Sequence, residues 1–165
     1  MPLVYVPGNH DPNVNPLDTT FVALDHRIPI PGPEGCDNVD GRVLDVQGLR
    51  VAGLGGSLRY KDGPNQYTQA QMRWRAIKLE LRVRLKRVRS RRKLDVLITH
   101  APPFGVAKAE DDAHVGFVAF QRIIRGLQPL LLVHGHVHPY GKVQPERIVE
   151  GTRIVNAIPS RLIEV

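Results

Sequence analysis

Three times along this 165-residue chain a short apolar run ends in a polar cluster that contains histidine. Val4-Tyr5-Val6 runs into Pro7-Gly8-Asn9-His10-Asp11. Leu94-Asp95-Val96-Leu97-Ile98-Thr99 runs into His100-Ala101-Pro102-Pro103. Leu131-Leu132-Val133 runs into His134-Gly135-His136-Val137-His138-Pro139. Apolar runs of this length read as buried strands, and open α/β sheets build their sites at the carboxyl ends of strands. The pattern predicts that Asn9, His100, His136 and His138 meet in space although they lie far apart in sequence. Alternate residues of an extended segment point the same way, so His136 and His138 are expected to face one point. Neutral imidazole is the commonest metal ligand, which makes a metal ion the natural occupant.

Each residue also has a plainer role available. Asn9 beside Gly8 suits a turn, and His100 before Ala101-Pro102-Pro103 suits a strand-end cap. His134 is the histidine most readily called structural, and His26 lies outside every cluster and reads as surface. His114, with Asp111 and Asp112, suits either a pocket wall or a helix start, where acidic side chains are favoured. Asp11 suits bracing its own loop.

The ordered series Gly8-Asn9-His10-Asp11, Thr99-His100-Ala101-Pro102-Pro103 and Gly135-His136-Val137-His138 resembles the calcineurin-like metallophosphoesterases, over a span from Gly8 to about Asn156. The continuation through Phe104-Gly105, with the later stretch from Asp111 to Phe117, is similar to the small bacterial and MPPED-like members. The resemblance implies an α/β (α+β) fold, a four-layer αββα sandwich, here N-terminally truncated. It implies metal-dependent hydrolysis of a phosphomonoester or phosphodiester. Two divalent ions about 3.5–4 Å apart serve that chemistry by activating water and neutralising phosphoryl charge. Mn²⁺ is the first expectation, with Fe or Zn as alternatives. By the same resemblance Asn9, His100 and His136 ligate one ion and His138 the other. His10 is not a ligand but a general acid near the leaving-group oxygen.

The family also places a DxH motif on its first strand and a GDxxD motif after its second. Neither precedes Gly8 here, so the bridging carboxylate and the usual partner of His10 are missing. The expectation is a C-terminal portion of a phosphoesterase, inactive or nearly so by itself, with an exposed sheet edge. Asp11, Asp18, Asp111 and Asp112 stand as candidate replacement ligands, and a second chain is another source. A non-catalytic remnant that acts as a binding module is the alternative from a different class.

The net charge is +7 and the pI about 10. Eleven of the 23 basic residues lie within residues 73–93, a segment that reads as an amphipathic helix. Trp74, Ile77, Leu81, Leu85 and Val88 follow the i, i+3, i+4 rhythm and are expected to be buried. Arg75, Lys78, Arg82, Lys86 and Arg89 are expected on the solvated face. Thr68 and Gln71 offer a capping box. A basic helix of this kind raises nucleic-acid binding as a further alternative, although no aromatic residues interleave with the charges to stack bases.

Elsewhere, residues 12–40 read as a loop-dominated excursion that includes Cys36. Residues 42–46 and 49–54 read as a hairpin about Gln47-Gly48. The Gly53-Leu54-Gly55-Gly56-Ser57 stretch is no P-loop, since no Gly-Lys-Ser/Thr follows, and is expected to let backbone pass close to the site. A helix is expected over 115–127, a hairpin over 142–149 and 153–157, and a last strand over 161–165. The whole, residues 1–165, reads as one metallophosphoesterase domain. A lone cysteine, no apolar run of the roughly 20 residues a span requires and no leader ahead of the first motif suit the cytoplasm. A phosphoester is the expected partner, with no membrane.

Overall fold

Alternation along the apolar runs fixes the layers. The computed structural model describes residues 2–12, 22–23, 26–27, 33, 35–106, 114–138 and 145–165. In chain order it contains β1 (Leu3–Tyr5), β2 (Val22–Ala23), β3 (His26–Arg27), β4 (Cys36–Asn38), β5 (Val43–Val46), β6 (Leu49–Leu54), β7 (Ser57–Leu58) and β8 (Gln66–Tyr67). Helix α1 (Gln69–Ser90), β9 (Val96–Thr99), α2 (Val118–Leu127), β10 (Leu131–His134), β11 (Arg147–Val149) and β12 (Thr152–Asn156) follow. Asp18, Asp111, Asp112, Pro139 and Lys142 lie outside the described residues, as does the side chain of His26.

Six strands form one mixed sheet in the order β11-β12-β10-β9-β6-β5. The inner four, β12, β10, β9 and β6, run parallel, and an antiparallel strand closes each edge. Leu97, Leu132, Ile154, Ala52 and Leu54 point to a core shared with α1 and α2. Their neighbours Val96, Leu131, Val155 and Val51 point to a second core on the opposite face, with Val6 and Val39. Parallel strands covered on both faces are the arrangement such continuous apolar runs require. Strand β1 pairs in parallel with β4 and lies over that second face. Gly53 admits it, because a Cβ there would stand 2.6 Å from the side chains of both Val6 and Val39.

The 49–54 hairpin turns at Gln47 and Gly48, both with positive φ, and Glu150-Gly151 does the same between β11 and β12. Three local expectations differ from the structure. Cys36 lies on β4, a strand, because its backbone pairs with Leu3. Residues 161–165 form no strand, and α2 begins at Val118, after Gly116 takes a positive φ of 80°.

The largest correction concerns α1. Its capping box is present, with the Gln71 amide donating to Thr68 Oγ1 and the Thr68 amide donating to Gln71 Oε1. Its buried side is Met72, Ala76, Leu79, Glu80 and Val83, whereas Ile77 is half-buried and Trp74, Leu81, Leu85 and Val88 are exposed. Two apolar stripes share this helix, and the smaller side chains face the core because α2 packs close against it. Arg75 and Lys86, expected in solvent, turn back to the domain and pair with Asp40 and Asp45.

This register makes a direct prediction for urea melts. Leu79→Ala is expected to cost roughly 2–5 kcal/mol, and Leu81→Ala to stay within about 0.5 kcal/mol of the parent. Equal losses would contradict the burial assigned to the two faces.

Candidate functional site

Parallel register brings the chemistry to one row. Leu54, Thr99, His134 and Asn156 are in register across β6, β9, β10 and β12. The ladder continues one residue further, with the His100 amide donating to the Leu54 carbonyl and the Gly135 amide donating to the His100 carbonyl. His100 has the parity of Ile98 and therefore looks toward the face that carries β1. The loop after β1 crosses that face, and Gly56 donates its amide to the Pro7 carbonyl at 2.8 Å. Two further glycines make the approach possible. A Cβ on Gly55 would lie 2.5 Å from the Pro7 carbonyl oxygen, and one on Gly8 would lie 2.7 Å from the His100 ring.

Asn9 is thereby buried beside His100, with Asn9 Oδ1 at 3.0 Å from His100 Nε2. His136 Nδ1 stands at the same 3.0 Å from that nitrogen. His136 does not arrive by strand alternation, because β10 ends at His134. Extended continuation would send His136 to the face of His134, away from His100. Instead its φ is +64°, and the Val137 amide donates to the Gly135 carbonyl at 2.7 Å. That is a γ-turn with positive φ at its centre, a rare and strained form of the kind that persists where surrounding structure over-determines it. The Asn156 side chain supplies such support by donating to the Val137 carbonyl at 2.8 Å.

Burial keeps His100 neutral. Burial, followed by the nearby His136, lowers the His100 pKa to about 4, so its imidazole is uncharged at neutral pH. Burial also lowers the pKa of His134, whose Nδ1–H donates to the Gly135 carbonyl at 3.1 Å. His134 thus sits buried as a structural side chain. His114 stacks against His136 with ring centroids 4.8 Å apart. His10 and His138 are exposed, and among the described residues His138 makes no hydrogen bond. Asp11 closes its own loop by accepting from the Gly8 amide at 2.7 Å. Among the described residues no three His, Cys, Asp or Glu side chains group to hold a metal ion; the convergent set of Asn9, His100 and His136 has an amide oxygen as its third donor.

Sequence reasoning missed three supports. Asn65 is buried and donates to the carbonyls of Gly8 and Asp11 at 3.0 and 3.1 Å. Tyr60 accepts from Asn9 Nδ2 at 3.3 Å, which turns Asn9 Oδ1 toward His100. Arg75 reaches from α1 to grip both carboxylate oxygens of Asp40 while Asp40 accepts from the Gly55 amide. None of these residues belongs to a motif.

A family model described as metallophosphoesterase, calcineurin superfamily, matches residues 1–158. No curated protein matches the chain. Among solved structures, the protein TT1561 of Thermus thermophilus is similar at 21% identity and a TM-score of 0.53, over 95% of this chain and 63% of that one. A second is similar at 23% identity and a TM-score of 0.50, over 74% of this chain and 46% of that one. The chain thus spans less than two thirds of the length of either structure.

The contact at Gly8 is testable. Gly8→Ala is expected to push the His100 imidazole out of its pocket and raise its pKa from about 4 toward the free value, because hydration favours the charged ring. Imidazole resonances followed against pH would show this, and an unchanged titration would contradict the packing.

Proposed function

Because the chain belongs to the calcineurin superfamily of metallophosphoesterases, we propose that residues 1–165 act as one domain that contributes the asparagine–histidine side of a phosphoester-hydrolysing metal centre. The observation that supports this reading is the meeting of Asn9 Oδ1, His100 Nε2 and His136 Nδ1, two contacts of 3.0 Å drawn from three separate strand ends. Adjacent ligands on one ion, with bonds of about 2.1 Å, stand ~3 Å apart, so the donor set fits. His138 is assigned to a second ion, for which the described residues offer no bridging carboxylate. Divalent ions supply charge neutralisation at the phosphoryl oxygens and lower the pKa of water.

The chain's own residues do the rest. Asn9 presents a neutral oxygen whose direction Tyr60 sets, His100 presents an imidazole that is uncharged at neutral pH, and His136 presents its Nδ1 beside it. His10, exposed beside the cluster, donates a proton to the leaving-group oxygen. The substrate class is a phosphomonoester or phosphodiester. Mn²⁺, Fe and Zn are the candidate ions, the Asn9 amide oxygen suiting Mn²⁺ and the two imidazoles suiting Fe or Zn. Cys36 forms no disulfide among the described residues, in keeping with a cytoplasmic setting, and no helix among the described residues is long and apolar enough to cross a membrane.

Purified chain equilibrated with Mn²⁺ is expected to hold about one ion, and His136→Ala to abolish that binding. Hydrolysis of bis(p-nitrophenyl) phosphate is expected to stay at background with these residues alone. It is expected to appear once a segment carrying DxH and GDxxD motifs is joined ahead of Gly8. A joined chain that binds metal but does not turn over would overturn the hydrolase reading in favour of a binding module.

A further inference from the structure

Helix α1 carries two apolar stripes, and the core takes only one. At 100° per residue, Met72, Ala76, Leu79 and Val83 centre on the buried side, and Trp74, Leu81, Leu85 and Val88 centre directly opposite. The outer four are 65%, 55%, 67% and 81% exposed. With Lys78 they are spaced 4, 3, 4 and 3 residues apart, the alternation of a coiled-coil seam, in which one Lys on the seam is a known register device. The stripe is only ~60° wide and ~21 Å long. A bilayer surface takes a broader apolar face, whereas a second helix fits a narrow, straight seam.

Charge decides which helix. The positions that flank the seam are Arg75, Arg82 and Arg89 on one side and Ile77 and Arg84 on the other. The acidic residue of α1, Glu80, is buried between Arg84 and Arg122. Among the described residues Lys78 and Arg89 form no ion pair. A second copy of the chain would bring arginine against arginine along much of the seam, which disfavours self-pairing. Nucleic acid would meet the charges but leave the leucines and valine unburied. We propose that the outward face of α1 docks an amphipathic helix of a partner protein, with an apolar seam and acidic flanks.

Trp74, the chain's one tryptophan, lies on the seam and reports on it. The probe is a synthetic three-heptad peptide with Leu on its seam and Glu at the flanking positions, compared with the same peptide carrying Lys at the flanks. The Glu peptide is expected to give a saturable blue shift of Trp74 emission, with at least tenfold weaker binding of the Lys peptide. The Leu81→Ser/Leu85→Ser variant, both sites being exposed, is expected to keep its far-UV circular dichroism and lose the shift. No shift with the Glu peptide, or equal binding of both peptides, would overturn the proposal. So would a shift with phosphatidylglycerol vesicles but not with peptide, which would assign the face to a membrane. A concentration-dependent dimer of the chain that the double variant abolishes would overturn it too, by assigning the face to a second copy.

Discussion

One row of the sheet ladder governs the site. Leu54, Thr99, His134 and Asn156 end four parallel strands at the same level, so every loop that follows starts from one rim. Shifting β9 by a single residue would turn His100 to the helix face, toward Leu54 and Leu132 of the neighbouring strands. The loop after β1 must then come within van der Waals range of that rim. Gly8, Gly53 and Gly55 make room, because a Cβ at any of them would lie under 3.0 Å from a neighbouring atom. The clustering of donors is therefore a consequence of register and of side chains that are absent.

The same close packing sets the chemistry. His100 is desolvated and has a second imidazole at 3.0 Å, and both effects disfavour its charged form. Asn9, His100 and His136 meet through contacts of 3.0 Å. They are held by the shell: Tyr60 on Asn9, Asn65 on the Gly8 and Asp11 carbonyls, and Asn156 on the turn at His136. A pre-oriented donor set with a buried, neutral His100 at its centre is what an ion of positive charge can use.

Much of this was legible in the sequence, for local reasons. The strand-to-loop boundaries before Asn9 and His100 followed from apolar runs that stop, and the turn at Gln47-Gly48 and the capping box at Thr68 have fixed chemical signatures. The helix face was not legible. Met72, Ala76, Leu79 and Val83 form as regular a stripe as Trp74, Leu81, Leu85 and Val88, and periodicity alone favours the bulkier set. Packing against α2 decided otherwise. The path of His136 was also hidden, since alternation assumes an extended chain and the φ of +64° breaks it. Asn65 and Tyr60 carry no motif, because their role depends on a loop more than 50 residues away in sequence.

The central claim is that Asn9, His100 and His136 bind one ion through named atoms. It is tested most directly by titrating the ¹⁵N-labelled chain with diamagnetic Zn²⁺ and following the imidazole nitrogens and the Asn9 side-chain amide. Shifts are expected at His100 Nε2, at His136 Nδ1 and at the Asn9 amide together, with the His134 resonances unmoved. Saturating Zn²⁺ that leaves His100 unshifted, or that moves His134 instead, would contradict the claim.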